Sequence, residues 1–329
     1  MSERRTIGVV GYGFVGEAVA KGLAPVADVI VYDKAKGWLE IRDGVVPMRD
    51  TGSAIVEDIR YCGCPDEKIM WAEHLVASCS IIFVCVPTPM KKDGSCSTEI
   101  VEEVVRGLNE AWQDREVGGP EDKITVVIKS TVPPGTTARL QEECCWLDLV
   151  FNPEFLTEAN YLEDFAGMER VVIGGSGRGL EMVVELYEDF CEGEVYGEGS
   201  STDYQPLRFL TCSSTEAELI KYVTNCFLAT KVSLANEFAQ VCEKVGADWD
   251  TVWGIASTDE RLGTSHWRVP GPDGKQGFGG SCFPKDMAGM IHFMIKNGVP
   301  PHVLQGAWWG NIGVRPERDW EQLKGRAVE

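Results

Sequence analysis

Gly11-Tyr-Gly13-Phe-Val-Gly16 is the stretch on which the fold turns. The apolar run Thr6–Val10 precedes it and the helical pattern Val15–Leu23 follows it. Strand, glycine loop and helix in that order make a dinucleotide-binding turn. Gly11 permits the tight turn, Gly13 lets a pyrophosphate approach the backbone, and Gly16 lets helix and strand pack closely. The phosphates then meet free N–H groups and the positive dipole end at the helix start, where Phe14 and Val15 stand. Asp33 ends the next apolar run, close to the ~20-residue spacing at which an acid holds the adenine ribose hydroxyls. That favours NAD over NADP, although Lys34 beside it points the other way. The alternative is a glycine-rich turn in some other α/β protein.

Outward from this loop, strand-like and helix-like segments alternate. Val29–Tyr32, Ile81–Val86, Ile124–Ile128, Leu147–Phe151 and Arg170–Ile173 are near-continuous apolar runs, as buried parallel strands are. Asp66–Ala77, Thr98–Trp112 and Thr136–Glu143 read as the helices between them. The fold class expected is α/β, a Rossmann-type doubly wound sheet, followed by a long central helix and a small, mostly helical domain. The polar stretch Glu198–Pro206 is the candidate boundary, giving domains 1–203 and 204–329. From Ser214 to Val245 one helical pattern runs for roughly 45 Å. Ser213 or Ser214 caps its start and Gly246 stops it. That length suits a spine between domains or across a dimer. Another helix is predicted from Asp248, loop over Arg261–Gly280, helix after Pro284 and a short one over Pro301–Gly310. The charged end, Val314–Glu329, reads as a tail or a docked arm.

Composition narrows the function classes. The 329 residues carry 31 basic and 51 acidic side chains, a net charge of −20. Nucleic-acid binders need basic surface to replace counterions, and anionic membranes repel such a chain. No run is apolar enough for a transmembrane helix, and the first residues do not form a signal peptide. Twelve cysteines in a chain of this size point to reduced thiols in the cytoplasm. Cys62 with Cys64 and the adjacent Cys144 and Cys145 are the tight pairs, and His74, His266, His292 and His302 are scattered. No metal site is expected from that spacing.

Gly279-Gly-Ser-Cys282-Phe-Pro-Lys-Asp286 is the segment that carries chemistry. Pro284 suits a first helical position, with Phe283 as a poor N-cap. Free N–H groups at a helix start favour a thiolate, which makes Cys282 a candidate nucleophile. An inert buried thiol is the alternative for any single cysteine. Asp286 in the first turn also fits ordinary dipole compensation. On the long helix, Lys221 and Asn225 share one face at i, i+4, otherwise fairly apolar with Ala229 and Val232. Buried there they need partners, and at the helix rim Lys221 would simply snorkel to water.

At these residues the chain resembles the UDP-glucose/GDP-mannose dehydrogenases. The matching blocks occur in order: 11–16, Val-Cys-Val-Pro-Thr-Pro at 84–89, Ser-Thr-Val-Pro-Pro-Gly-Thr at 130–136, Asn-Pro-Glu-Phe-Leu-Thr-Glu at 152–158, 170–174, 216–225 and 277–286. The resemblance implies oxidation of a nucleotide-sugar primary alcohol to the uronate, UDP-glucose 6-dehydrogenase-like, with NAD reduced twice. Cys282 would carry the thiohemiacetal and thioester, Lys221 and Asn225 would stabilise the oxyanion, and Asp286 would assist water or proton transfer. Glu158 with Thr131 resembles the family's acid/base pair, and Glu154 a further proton-handling residue. Val86, Pro87, Thr88, Thr131, Glu158 and Lys285 fall on the cofactor side. Glu154, Phe155, Leu156, Phe278 and Gly279 join Lys221, Asn225 and Cys282 on the substrate side. Arg261, in an Arg-Leu-Gly segment, matches the arginine that reaches the neighbouring site, implying a homodimer through the central helix.

Two departures stand out. Family members usually carry a second α/β domain after the thiol segment, and only residues 287–329 follow Asp286. The loop 267–277 is also longer. The expectation is a naturally shortened member, with Asn311–Val328 forming its own end. Lys275, Arg268 and His266 are then candidates to meet the nucleotide phosphates, or else solvated loop charges. Two rivals remain: a two-electron hydroxyacid-type dehydrogenase, which needs no thiol, and a non-catalytic NAD- or sugar-nucleotide-binding paralogue.

Overall fold

The computed structural model describes residues 4–41, 59–61, 71–115, 123–192 and 207–329. Glu198–Pro206, with the expected domain boundary, and Cys62 and Cys64 lie outside the described residues. By internal packing the chain divides into two compact units. The first comprises Met1–Pro87 with Thr98–Leu219, the second Thr88–Ser97 with Ile220–Glu329.

In the first unit the chain runs β1 (Arg5–Val10), α1 (Phe14–Leu23), β2 (Ala27–Asp33), β3 (Gly37–Ile41) and β4 (Ile59–Tyr61). It continues through α2 (Trp71–Ser78), β5 (Ile81–Val84), α3 (Glu99–Gln113), β6 (Ile124–Ile128), α4 (Thr136–Glu143) and β7 (Leu147–Phe151). Then come α5 (Tyr161–Ala166), β8 (Arg170–Gly174), α6 (Gly177–Glu192) and β9 (Arg208–Cys212). The strands form one sheet in the order β4-β3-β2-β1-β5-β6-β7-β8-β9. From β2 through β1, β5 and β6 to β7 all pairing is parallel. These are the strands read from apolar runs, and they are apolar throughout because helices cover both faces. Ile7, Val9, Val31 and Phe83 face α1 and α6 through Val19, Leu186 and Phe190 in one core. On the other face, the Cβ position at Gly8 meets Leu75 and Cys79, in and just after α2.

The sheet is longer than the sequence suggested. β3 returns antiparallel on β2 after Gly37 at φ +78, and β4 pairs antiparallel with β3. β8 is antiparallel to β7 and parallel to β9. The helices α5 and α6 were also not anticipated.

The helix α7 (Ser214–Val245) has the predicted bounds and stops at Gly246, φ +74. Its first residues belong to the first unit and the rest, from Ile220, to the second. The second unit adds α8 (Trp249–Ala256), α9 (Phe283–Lys296) and α10 (His302–Val314). Asp248 caps α8 by accepting from the Thr251 N–H at 2.8 Å, which fixes that start where the sequence placed it. Tyr222, Cys226 and Ala229 of α7 pack with Met287 and Met290 of α9 and Ala307 of α10. The chain end is a docked arm: Met90 N–H donates to Ala327 O and Glu329 N–H to Met90 O. No helix among the described residues is long and apolar enough to cross a membrane.

The start of α7 sits hard against β8. A Cβ on Gly174 would lie 2.5 Å from Ala217 Cβ, 2.8 Å from Ser214 Cα and 2.9 Å from Ser213 O. Two of those atoms are backbone, so the obstruction cannot rotate away. Gly174→Ala is expected to cost roughly 1–3 kcal/mol, read as a lower urea midpoint, and an unchanged midpoint would refute this tight packing.

Candidate active site

In the first unit the glycine loop closes as its spacing demands. Gly11 adopts φ +92, and its N–H donates to Tyr32 O at 2.8 Å. A Cβ on Gly11 would stand 2.7 Å from Cys85 O, and one on Gly16 would stand 1.9 Å from Gly11 O. Gly13 differs, because nothing lies within 4 Å of its Cβ position. It is the N-cap of α1, with no side-chain cap on the helix. The first turn of α1, from Phe14 and Val15 on, therefore takes no side-chain cap from its N-cap residue, which fits a pyrophosphate.

Asp33 stands at the end of β2, beside this loop. Burial opposes its ionisation, but N–H groups of Tyr12, Ala35 and Lys36 donate to it at 2.8, 2.9 and 3.0 Å and hold its carboxyl below the ordinary value. Lys34 is exposed in the turn. The lysine at the loop is Lys36, which sequence reasoning missed: Nζ donates to Tyr12 O at 2.8 Å and sits 4.9 Å from that ring's centre.

The carboxyl ends of β5, β6 and β7 carry the other first-unit candidates, as expected for an open α/β sheet. Ser130 Oγ donates to Val86 O at 2.7 Å, Pro87 is exposed and Thr131 is buried. Glu154 is buried and accepts from the Leu156 N–H at 2.7 Å. The Phe155 ring carries the Arg170 guanidinium at 5.0 Å, and Glu158 is exposed in the turn before α5. Glu154, Phe155 and Leu156 line a cavity of about 480 Å³ with Lys129, Asn152 and Arg170. Lys129 Nζ and Tyr187 OH both donate to Asn152 Oδ1 at 2.8 Å, a buried network that no local pattern announces.

Another missed residue is Glu218, fully buried on α7. Its carboxylate accepts from Gly135 N–H at 2.5 Å and from Thr137 N–H and Oγ1 at 2.7 and 2.6 Å. It thereby caps α4, whose own N-cap is Gly135 at φ +91. Burial pushes this carboxyl up, and the donors only partly pull it back.

The second unit gathers the thiol group of candidates. The N-cap of α9 is Cys282, not Phe283, which is the first helical residue, with Pro284 in the first turn. The correction moves the thiol onto the helix end itself. Ser281 Oγ lies 3.8 Å from its sulfur. One turn on, Asp286 is buried, accepting from Asn225 Nδ2 at 2.6 Å on Oδ2 and from Lys285 Nζ at 2.6 Å on Oδ1. Asn225 therefore has the partner its burial requires, and Lys221, one turn earlier on α7, is buried as well. Burial opposes the charge on Lys285, but Asp286, Cys96 and Cys282 together raise its pKa above the ordinary lysine value. Thr88 is buried, and its carbonyl accepts from the Cys96 thiol at 3.9 Å.

The glycines before Cys282 are gripped by side chains that sequence reasoning passed over. Asn311, buried on α10, accepts from Phe278 N–H at 2.6 Å and donates to Phe278 O at 3.0 Å. Asn236 on α7 accepts from Gly277 N–H at 3.1 Å. Gly277 at φ +71 cannot take a side chain, since its Cβ would stand 2.3 Å from Asn311 Oδ1. Phe278 itself is buried against Phe283 and Trp308. Lys275 is tied to Asp319 at 2.7 Å and Glu317 at 3.6 Å, so it braces the loop. Arg268 is exposed, and the His266 ring lies tilted against Phe283 with centroids 5.7 Å apart. Arg261, 87% exposed, pairs with Asp259 at 2.5 Å. No cluster of three or more His, Cys, Asp or Glu placed to hold a metal occurs among the described residues.

Residues 5–191 match the NAD binding domain of the UDP-glucose/GDP-mannose dehydrogenase family, and residues 215–311 match its central domain. UDP-glucose 6-dehydrogenase of Haloferax volcanii is 30% identical over 97% of this chain and 72% of its own. UDP-glucose 6-dehydrogenase TuaD of Bacillus subtilis is 30% identical over 92% of this chain, which spans 61% of that protein's length. The solved UDP-glucose dehydrogenase of Pyrobaculum islandicum superposes with a TM-score of 0.70 at 28% identity, over 94% of this chain and 68% of that one.

The two loop glycines separate fold from ligand. Gly13→Ala is expected to hold stability within about 1 kcal/mol, since the site is open, while weakening NAD binding roughly tenfold in calorimetric titration. Gly16→Ala should lose about 1–3 kcal/mol of stability outright. Equal NAD affinity in wild type and Gly13→Ala would remove the phosphate cradle from this loop.

Proposed function

The chain belongs to the UDP-glucose/GDP-mannose dehydrogenase family, and on that premise we propose that it oxidises the primary alcohol of a nucleotide sugar of the UDP-glucose type to the carboxylate, in two steps on one thiol. The observation that carries this reading is Cys282 at the head of α9, one turn from an Asp286 fixed by Asn225 and Lys285. Bound NAD supplies the hydride acceptor. Oxidation of the alcohol leaves an aldehyde, and the Cys282 sulfur adds to its carbon to give a thiohemiacetal. Loss of a second hydride from that carbon, to a second NAD that replaces the reduced one, leaves a thioester, and water displaces the sulfur to give the uronate and the free thiol. Each oxidation removes two electrons, and covalent capture keeps the aldehyde from escaping between them.

The oxyanion that develops at the captured carbon needs a fixed donor, a role for which Lys221 and the Asn225 amide are the buried candidates. Asp286 is held with both oxygens on donors, which suits it to orient water or pass a proton. Thr131, Glu154 and Glu158 keep the proton-handling roles that their motifs imply. Reduced thiols and a nicotinamide cofactor suit a cytoplasmic setting.

The reading includes a homodimer. Val223, Phe227, Leu234, Phe238, Val241 and Val245 form an exposed apolar stripe on α7, in which 227, 234, 238, 241 and 245 keep heptad-seam spacing. A second copy would cover it, and Arg261 would reach the neighbour's site.

Two measurements test these statements. With NAD and a panel of UDP-glucose, GDP-mannose and UDP-N-acetyl sugars, two NADH per sugar are expected, and Cys282→Ala should abolish complete turnover. One NADH per sugar, indifferent to Cys282, would sink the thiol mechanism. In sedimentation velocity the wild type should run as a dimer and Phe238→Glu as a monomer. A monomeric wild type would remove the central-helix interface.

A further inference from the structure

Arg315 follows α10 directly and is 2% exposed, a burial that arginine rarely accepts without paired charge. Nε donates to Asp319 Oδ1 at 2.9 Å and Nη2 to Asp319 Oδ2 at 2.6 Å, a two-pronged grip on one carboxylate. Nη2 also donates to Asp273 Oδ2 at 2.7 Å, and Asp273 belongs to the lengthened loop 267–277. Hydrogen bonding from Arg315, aided by Lys275, lowers the Asp319 pKa to about 2. Both carboxylates therefore remain charged over any working pH.

The guanidinium also lies on the thiol segment. A Cβ on Gly279 would stand 2.4 Å from Nη2, 2.5 Å from Cζ and 2.9 Å from Nε. Three atoms of the planar group thus occupy the space a side chain would take. Gly280 turns the chain next, at φ +73, and Cys282 then opens α9. Asn311 holds Phe278 on one side of this contact, so Gly279 is fixed between an amide clamp and a charged plane. A lysine cannot reproduce that arrangement, because its ammonium is a point charge without a flat face or a fork.

We infer that Arg315 is a positioning residue for Cys282: anchored by Asp273 and Asp319, it fixes the Gly279 backbone and so sets where the thiol stands at the head of α9. The inference rests on Cys282 being the reacting thiol, and it extends that role to a residue outside the family's thiol motif.

The test measures Cys282 directly and needs no substrate. The full chain is treated with iodoacetamide at neutral pH, and alkylation of the Cys282 peptide is followed by mass spectrometry against the exposed Cys145 as internal standard. Arg315→Lys and Arg315→Met are compared with wild type and with Asp248→Ala, which removes the cap of α8. In both Arg315 variants the Cys282-to-Cys145 rate ratio should fall about tenfold or more, because the thiol leaves the helix terminus. Asp248→Ala should melt lower with the ratio unchanged. Should Arg315→Met fail to fold, Arg315→Lys keeps the charge and decides the matter. An unchanged or increased ratio in folded Arg315→Lys overturns the inference. A sugar panel that gives no NADH while the alkylation ratio still falls would refute the oxidation chemistry and leave Arg315 in its place.

Discussion

A helix begins with N–H groups that have no partner inside the helix, and the candidate chemistry depends on how this chain deals with them. At α8 it uses the ordinary solution, an aspartate at the N-cap. At α4 the N-cap is a glycine, and the donors are taken by Glu218, more than eighty residues along the chain. At α1 and α9 no side chain caps the start. Those two starts are where the cofactor's phosphates and the thiol are assigned. The starts of α3, α5 and α10 also lack a side-chain cap, so an uncapped start alone does not mark a site; the open Cβ position of Gly13 at α1 and the Cys282 sulfur at α9 set those two apart.

The sequence made the α/β core legible because its cues are local. Six apolar runs became strands, and the glycine spacing at 11–16 determined the loop. α7 could be bounded because serine precedes it and Gly246 ends it. The strands that were missed lack such cues. β3 and β4 are short antiparallel additions at one end of the sheet, β3 folded back on β2 by the hairpin at Asp33–Gly37 and β4 forming the edge. β9 is mostly exposed or half-exposed and carries no continuous apolar run. The placement of Phe283 as N-cap failed because Pro284 is tolerated one position further into the first turn than the rule of thumb assumes. In the site, the motif residues were readable and their supports were not. Asn236, Asn311 and Glu218, and Arg315 in its bond to Asp273, act over separations of tens of residues, and a buried amide or carboxylate has no spacing that betrays its partner. Lys275 looked like a phosphate ligand because it is a loop cation, and only the fold reveals the acids that hold it.

Burial sorts the cysteines as their number cannot. All those described are free thiols. Burial raises Cys79 and Cys85 to about 12, and Cys226 is pushed higher still by burial and by the nearby Asp286. Such thiols stay protonated and behave as small apolar side chains. Cys282 is half-buried on a helix terminus, within the electrostatic reach of Lys285. A cysteine-rich chain can thus present one sulfur to chemistry while keeping others out of it.

Asp33 gives the glycine loop a property that reaches beyond cofactor contact. Three peptide N–H groups settle its charge, so the carboxylate is formed and oriented before any ribose arrives. A ribose hydroxyl meets an acceptor that needs no ordering, and the entropy of placing it is already spent in folding. A phosphate on that hydroxyl would meet a negative charge that cannot be neutralised near pH 7 and cannot swing aside. On the proposal that Asp33 holds the adenine ribose, the choice between the two nicotinamide dinucleotides would be written into the main chain of one turn, and exchanging side chains around it would shift the balance without erasing it.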